Sequence, residues 1–244
     1  MRRVVIFAIL LFLMGGICFA QESFQCDNMY FQPEQLPDMR KWLPAPPAEG
    51  SAEFQYDIAR HEWGKEQRKD KERAKIAIIQ ANSTVTNFCD IFSKPFGVEI
   101  SEKNTPEIFL LIKDAISTCA KITVIAKDTY ARPRPYMYFN EHTLLPEHEE
   151  SLRSSGSYPS GHTTRGWAAA LILLEINPAA ADALMEVGYM QGESRIIGGF
   201  HWQSDVTAAR YAASVAVAKL HTSERFLRQM KRAKREFARI QRRK

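Results

Sequence analysis

The chain has 244 residues, of which 45% are hydrophobic and 25% charged, with a formal net charge of +5 at pH 7. This length suits one large domain or two small ones, and the composition is that of an ordinary soluble globular protein rather than a disordered chain. The net charge is too small to indicate a nucleic-acid-binding protein by itself.

Residues 1–20 are typical of a secretory signal peptide. Two arginines precede an apolar stretch over residues 4–14, and the small residues Cys18 and Ala20 suit a cleavage site before Gln21. The apolar stretch is short for a membrane span, and no later stretch reaches a spanning length. We therefore expect a periplasmic or secreted protein without stable membrane insertion after cleavage.

Residues 21–50 are rich in proline and polar side chains, with Pro44-Ala45-Pro46-Pro47 near their end. This pattern predicts an extended lead-in to a domain over residues 51–244. From Ser51 onward the periodicity is helical almost throughout, without an alternating strand pattern or an internal repeat. The predicted fold is all-α, a single-domain helical bundle.

Apolar residues in a 4-3-4-3-4 spacing predict one amphipathic helix over residues 74–92. A loop with Pro95 and Gly97 follows over residues 93–101. Thr105-Pro106 then has the pattern of an N-cap followed by proline at the first helical position, and a second apolar stripe leads toward Lys127.

Prolines and a glycine pair divide the second half of the chain. The Arg132-Pro133-Arg134-Pro135 segment cannot continue a helix and should be extended, and residues 136–157 form a long polar loop. Helices are predicted from Ser160 to Ile176, from Asn177-Pro178 to about Gln191, over residues 201–220, and from Thr222 to the C-terminus.

Cys26, Cys89 and Cys119 remain after the predicted signal peptide, an odd number. Cys89 and Cys119 lie on the apolar stripes of two consecutive predicted helices. In an antiparallel hairpin they would be offset by about eight residues, or roughly 12 Å. That separation exceeds the reach of a disulfide, so we expect at least two buried free thiols.

His201 and Asp205 are four residues apart, which places their side chains on one face of a helix. A carboxylate can then hold one imidazole nitrogen as N–H and leave the other free as a nucleophile or base. Arg195 offers a planar cation suited to phosphate, and Gly198-Gly199 predicts a break between it and the histidine. A polar core histidine paired with Asp205 explains the same stretch about as well.

Two earlier segments carry further candidates. Lys127 ends a predicted helix and Arg134 lies between prolines that fix its direction, although a solvated turn would look the same. Ser160, Gly161 and His162 open a helix, where free N–H groups and the helix dipole bind anions. Ser160 as a plain N-cap is the alternative there, and it leaves His162 unexplained.

Together these blocks resemble the three-part signature of the type 2 phosphatidic acid phosphatase superfamily, which includes the vanadium haloperoxidases. Residues 156–163 further resemble the signature of the bacterial class A non-specific acid phosphatases. The blocks in this sequence are Lys127-x6-Arg134-Pro135, Pro159-Ser160-Gly161-His162 and Ser194-Arg195-x5-His201-x3-Asp205.

The resemblance implies a helical bundle and roles for three catalytic residues. His201 would attack phosphorus and form a phosphohistidine, and Asp205 would hold its other ring nitrogen. His162 would protonate the leaving alcohol and then activate water. The activity implied is that of an exported acid phosphatase with broad specificity for small phosphomonoesters.

The resemblance also implies that Lys127, Arg134, Ser160, Gly161 and Arg195 hold the phosphate oxygens without a metal or other cofactor. The Glu147-His148-Glu149-Glu150 run is interpreted as a solvated loop rather than a metal site. A homodimer is a further implication of the resemblance, and no nucleic-acid partner is expected.

Three alternatives stay open. The same site could act on lipid phosphates, or could hold vanadate for peroxidase chemistry. The basic C-terminal segment from Arg225 to Lys244 could bind nucleic acid or an anionic surface. An apolar stripe through Phe226, Met230, Ala233 and Phe237 instead favours a helix packed on the body with a solvated basic face.

Overall fold

The computed structural model describes residues 28–243, so the predicted signal peptide and Cys26 lie outside the described residues. Its helices, in chain order, are α1 (Ala52–Gln67), α2 (Lys71–Ile79), α3 (Val85–Phe96), α4 (Pro106–Ala120), α5 (Val124–Tyr130), α6 (Pro135–Tyr138), α7 (Glu149–Leu152), α8 (Gly161–Ile176), α9 (Ala181–Ile197), α10 (Gln203–Leu220) and α11 (Glu224–Gln241). Residues 28–243 contain no strand, and the predicted all-α, single-domain fold is confirmed.

Helix α8 lies at the centre of the bundle, where it packs against α4, α9 and α10. Its middle turns carry Ala168, Ala169 and Ala170, all fully buried. Such small side chains let neighbouring helix axes approach closely, and Gly188 of α9 lies directly against Ala170. The first turn of α8, which carries His162, is thereby held at a fixed position between its neighbours.

The predicted helix over residues 74–92 is wrong as one element, because the chain breaks between α2 and α3. At the break the Asn82 side chain accepts a hydrogen bond from the Thr84 backbone N–H, and the Thr84 hydroxyl accepts one from the Asn87 N–H. These short polar side chains offer the backbone an alternative to helical hydrogen bonds. Ile78, on the predicted buried stripe, is 40% exposed.

Other predicted boundaries also shift. Helix α3 continues through Pro95 to Phe96, where a loop was expected. The last turn of the helix is favoured because it buries Phe96 completely. The helix ends at Gly97, whose backbone is in the left-handed region (φ 83°). The helix leading to Lys127 is α4 and α5 joined by a 3-10 turn, and α9 runs on to Ile197.

The long segment before α8 is not wholly a loop, since it contains the short helices α6 and α7. The expectation of a solvated loop at residues 147–150 is wrong for Glu149. That side chain is buried and accepts a 2.7 Å hydrogen bond from the Thr143 backbone N–H. It anchors the segment that covers one side of the candidate site.

Cys89 and Cys119 are both buried and free, as predicted. Burial raises the pKa of the Cys89 thiol to about 12 and raises that of Cys119 as well. Both side chains therefore act as small apolar core residues.

Residues 28–50 lie against the bundle. The Tyr30 backbone N–H donates to the Thr118 hydroxyl at 2.9 Å, and the Tyr30 hydroxyl donates to Gln229 at 2.5 Å. Further on, the Pro44 carbonyl accepts a 2.7 Å hydrogen bond from the Tyr158 hydroxyl. This segment thus contacts both α11 and the turn that precedes α8.

Helix α11 packs on α4 and α8 through Phe226, Met230 and Ala233, which are buried. Phe237 is partly buried beside them, and most of the basic residues of the helix are exposed. This confirms the packed amphipathic helix. Among the described residues, no helix is both long and apolar enough to cross a membrane.

We predict that Gly188→Ala destabilises the fold. A β-carbon at residue 188 would lie 2.7 Å from the Ala170 β-carbon. Overpacking of this kind costs about 1–3 kcal/mol, more than the gain of about 1 kcal/mol in helix propensity. Denaturant unfolding should show a lower free energy of unfolding, with the exposed change Glu186→Ala in the same helix as control. Equal stability of Gly188→Ala and wild type would contradict this packing.

Candidate active site

One cavity of about 520 Å³ collects side chains from all three sequence blocks. The predicted site residues that line it are Lys127, Arg134, Gly161, His162, Arg195 and His201. The other two, Ser160 and Asp205, are fully buried and do not line the cavity. Asp205 lies behind the lining residue His201, 3.2 Å from its Nδ1, and the Asp205 backbone carbonyl accepts from the Ser160 N–H at 3.1 Å.

His201 does not lie on a helix, contrary to the expectation from its spacing to Asp205. It precedes α10 by two residues, and Trp202 between them is extended (φ −76°, ψ 160°). Asp205, in the first turn of α10, reaches back to accept the Trp202 backbone N–H at 2.9 Å and lies 3.2 Å from Nδ1 of His201. The predicted pair therefore exists, and helix capping forms it rather than a shared helical face.

The contacts of His201 determine which nitrogen carries the proton. Arg134 Nη1 lies 3.1 Å from Nε2 of His201. A guanidinium can only donate, so Nε2 must accept and carry the lone pair. The proton of the neutral ring is then on Nδ1, where it is donated to Asp205. The structure thus holds His201 with its unprotonated nitrogen beside a cation.

Arg134 is fixed from several sides. Its Nε donates to the carbonyls of Leu152 and Ser155, both at 3.2 Å, and its Nη1 donates to the Phe200 carbonyl at 3.2 Å. The segment around it is extended, as the flanking prolines predict. Burial lowers the pKa of Arg134 from its ordinary value.

Lys127, Arg134 and Arg195 form a group that we call the cation triad. Lys127 lies near the C-terminal end of α5, and its Nζ donates to the Gly156 carbonyl. Burial and the nearby Arg134 lower the pKa of Lys127 to about 7. Three cations in one buried cavity disfavour their own charged forms, and an anion in the cavity would relieve that cost.

Arg195 comes from the last turn of α9 and is 5% exposed. Its guanidinium lies 4.3 Å from the ring centre of Phe200. Its Nε and Nη1 are buried without a hydrogen-bond partner among the described residues. Burial, with Arg134 nearby, lowers the pKa of Arg195 to about 9. Buried donors of this kind suit an anionic ligand.

Ser160 is the N-cap of α8. Its hydroxyl oxygen accepts from the Thr163 backbone N–H at 3.2 Å and from the Thr163 hydroxyl at 2.9 Å. The role of Ser160 as the N-cap therefore explains its position, and contact between its hydroxyl and phosphate stays a prediction. Gly161, the first residue of α8, lines the cavity at the positive end of the helix.

His162 lies in the first turn of α8, with its ring 4.9 Å from that of Phe88. Its Nε2 lies 3.3 Å from the side-chain oxygen of Gln191 on α9. An amide oxygen can only accept, so Nε2 carries a proton and Nδ1 is the ring nitrogen left to gain or lose one. Gln191 could not be identified from the sequence, since nothing in the spacing of α9 indicates which residue contacts His162.

Asp205 is supported by residues that the sequence did not indicate. Arg132 donates to Asp205 and to Asp57 of α1, each at 2.7 Å, and to the Ser204 hydroxyl at 2.8 Å. Arg132 is only 8% exposed, so this is a buried ion-pair network. Arg132 lies in the proline-containing segment that the sequence analysis singled out, whereas no sequence pattern indicated Asp57.

Five lysine and arginine side chains line the cavity, Lys121 and Arg165 in addition to the triad, and no Asp or Glu does. No group of three or more His, Cys, Asp or Glu side chains that could hold a metal ion occurs within residues 28–243. The arrangement can accept a multiply charged anion, attack it with His201 and exchange a proton through His162.

Comparison with known proteins assigns the chain to a family. A family model described as the PAP2 superfamily matches residues 110–227, which include all three sequence blocks. A non-specific acid phosphatase of Providencia stuartii is 42% identical over 215 residues, covering 88% of this chain and 86% of that protein. The chain belongs to the PAP2 superfamily, among its non-specific acid phosphatases.

Two further relatives agree. A non-specific acid phosphatase of Salmonella typhimurium is 36% identical over 229 residues, covering 93% of this chain and 91% of that protein. An acid phosphatase of Zymomonas mobilis is 33% identical over 196 residues, covering 80% of this chain and 74% of that protein. This PAP2 superfamily member is therefore a phosphatase.

We predict that acid destabilises this phosphatase in its free form. Burial, with Arg195 and Arg165 near His162 and with the triad near His201, keeps both histidine pKa values well below 6.5. The unfolded chain binds these protons as the pH falls below 6.5 and the folded chain does not. Each histidine then lowers the free energy of unfolding by up to about 1.4 kcal/mol per pH unit.

Thermal unfolding between roughly pH 7 and 5.5 measures this dependence. His162→Phe should reduce the fall in Tm with pH by removing one of the two groups. His148→Gln is the control, since its half-buried ring makes no hydrogen bond among the described residues. A Tm that stays constant across this range would contradict the prediction.

Proposed function

We propose that this protein is an acid phosphatase that hydrolyses small organic phosphomonoesters with broad specificity through a phosphohistidine on His201. The observation that carries the proposal is the 3.1 Å contact between Nη1 of Arg134 and Nε2 of His201, in a cavity lined by the cation triad. Because Arg134 donates, Nε2 carries the lone pair. A nucleophile needs an unprotonated atom next to the charge that will hold its electrophile.

In the first step Nε2 of His201 forms a bond to phosphorus while the bond from phosphorus to the ester oxygen breaks. Asp205, paired with Nδ1, stabilises the positive charge that grows on the ring. His162 gives a proton to the departing alcohol through Nδ1, while Gln191 orients its other nitrogen.

In the second step His162 accepts a proton from water, the water oxygen bonds to phosphorus, and the bond to His201 breaks. Inorganic phosphate leaves and both histidines return to their starting states. The cation triad and the amide of Gly161 hold the equatorial oxygens throughout, where charge spreads in the transition state. Ser160 joins that set through its hydroxyl hydrogen.

Acidic working conditions follow from the two histidine environments. A phosphate dianion among the triad offsets the cations that lower the pKa of His162, so the bound substrate favours the protonated acid. His201 stays unprotonated on Nε2, because Arg134 donates to that atom. The substrate itself therefore brings the two rings into different protonation states.

We further propose export to the periplasm or medium, on the basis of the predicted signal peptide at residues 1–20.

A small-phosphomonoester substrate fits a cavity in which many groups contact the phosphate and few contact the rest of the substrate. A detergent-dispersed lipid phosphate assayed beside a nucleotide separates this from the lipid-phosphate alternative. Bromide oxidation with vanadate and peroxide tests the peroxidase alternative.

We predict that His201→Ala abolishes the covalent intermediate. In single-turnover hydrolysis of a chromogenic phosphomonoester, wild type should release the alcohol in a burst and retain acid-labile phosphate on the protein. His162→Ala should slow turnover by roughly 10²–10⁴-fold, the range of a general acid–base group. His221→Ala, a surface histidine paired with Glu175, is the control. Near wild-type turnover by His201→Ala would require a different nucleophile.

We also predict that chelation leaves activity unchanged. The triad supplies the positive charge that a metal supplies in other phosphatases. Hydrolysis of the same ester is measured before and after dialysis against EDTA. A loss of activity that added Zn²⁺ or Mg²⁺ restores would contradict metal independence.

A further inference from the structure

A second buried carboxylate lies behind Asp205, and the mechanism above gives it no role. Asp57 of α1 is 1% exposed, and its Oδ2 accepts from Arg132 at 2.7 Å. Its Oδ1 accepts from the Ser204 backbone N–H at 2.7 Å, and the Ser204 hydroxyl donates to Oδ2 at 2.6 Å. The carboxylate of Asp57 is therefore fixed to the first turn of α10, which also carries Asp205.

These contacts form one row of alternating charges that ends at the proposed nucleophile. Nδ1 of His201 lies 3.2 Å from Oδ2 of Asp205, and Oδ1 of Asp205 accepts from Nη1 of Arg132 at 2.7 Å. Nη2 of Arg132 donates to Asp57. We call these four side chains the charged row. Its three ionised members are at most 8% exposed, so solvent and salt screen them little.

The charged row has one negative charge in excess while His201 is neutral, because two carboxylates pair with the single guanidinium of Arg132. When Nε2 of His201 attacks phosphorus, positive charge grows on the ring and the row as a whole becomes neutral. Without Asp57, Arg132 would neutralise Asp205. The charge on the ring would then have no counter-charge in the row.

The surroundings of His201 make this counter-charge important. Burial and the cation triad lower the pKa of His201, because a positive charge on its ring is unfavourable there. No Asp or Glu lines the cavity, so the charged row supplies negative charge from behind the ring. A fixed negative charge placed where positive charge develops stabilises the transition state without reorganisation.

We propose that Asp57 is a positioning residue for the reaction of His201: by pairing with Arg132, it leaves the charge of Asp205 available to the ring. The proposal rests on the proposed function, since it assumes that His201 attacks phosphorus. Asp57 does not line the cavity. It lines a separate groove of about 810 Å³, beside Pro44 and Tyr211, and the two cavities have no lining residue in common.

The first test changes the number of charges in the row. Asp57→Asn keeps the shape of the side chain and removes its charge. It should slow the burst of alcohol from a chromogenic phosphomonoester by roughly tenfold to a hundredfold, since one buried charge acts over a short distance. Arg132→Gln combined with Asp57→Asn removes one charge of each sign and restores the excess carboxylate. The double variant should be at least about threefold faster than Asp57→Asn.

A double variant slower than Asp57→Asn would overturn the proposal, because the two residues would then act only by holding the fold. Ser204→Ala removes hydrogen bonds from the same row but no charge, and should slow the burst less than Asp57→Asn does. Glu53→Ala, which removes an exposed carboxylate of the same groove, should have the wild-type burst.

The inhibition constant of inorganic phosphate reports on the cavity by itself. Asp57→Asn removes a negative charge behind the cavity, so it should not weaken phosphate binding. Weaker phosphate binding, with an equal loss of burst rate in Ser204→Ala, would indicate a disordered site and would also overturn the proposal.

The second test uses the groove. Asp57→Ala leaves a space of carboxylate size that opens into the groove, so added formate can reach Arg132 without passing through the cavity. Formate should speed the burst of Asp57→Ala up to a saturating value, whereas wild type and Glu53→Ala should gain nothing. Equal rates in formate and in chloride would contradict a role for the carboxylate charge. If Asp57→Ala does not fold, Asp57→Asn and the double variant still decide.

A third measurement needs no turnover. The resonance of the Nδ1 proton of His201, identified by its loss in His201→Ala, reports on the hydrogen bond to Asp205. It should move upfield in Asp57→Asn and return part of the way in the double variant. An unchanged resonance in Asp57→Asn would overturn the proposal. Wild type without acid-labile phosphate would instead contradict the proposed function, and the resonance would still decide whether Asp57 acts on this pair.

Discussion

The carboxylate of Asp205, which is wholly buried, joins the three sequence blocks. One of its oxygens contacts His201 and the Trp202 N–H, the other accepts from Arg132, and its backbone carbonyl accepts from the Ser160 N–H at 3.1 Å. A buried charge is tolerable only with such complete pairing, and losing one partner of a buried pair typically costs about 3–5 kcal/mol. His201, proposed as the nucleophile, the segment with Arg132 and the start of α8 therefore share one anchor.

The cation triad differs from the fully paired Asp205, because its three positive side chains line one cavity without carboxylate partners there. Its members are held by backbone carbonyls and by the ring of Phe200 rather than by carboxylates. Burial beside like charges lowers the pKa values of Lys127 and Arg195, and a phosphate bound among them would offset part of that cost. In the proposed function, this cost in stability would contribute to affinity for the dianion.

The sequence predicted the fold class and the residues that meet at the cavity, because signature spacing and apolar periodicity are local properties. It did not predict how they meet. The His201–Asp205 contact depends on an extended Trp202, and the support from Asp57 comes from a helix far away in the chain. The break at Asn82 was hidden because the apolar spacing continues across it. The sequence did not indicate that Arg165 lines the cavity, because no motif or spacing distinguishes its position on α8.

The contacts of Tyr30 join the first described residues to the last helix. Its hydroxyl bonds Gln229 across 199 positions of sequence, and its ring lies edge-on to Phe226 with centroids 5.4 Å apart. Contacts this distant in sequence form late, since the whole intervening loop must close first. A chain emerging from its N-terminus can therefore assemble α1 to α10 before Gln229 and Phe226, which contact the Tyr30 side chain, are available. Closure of the bundle becomes a post-translational event that waits for α11.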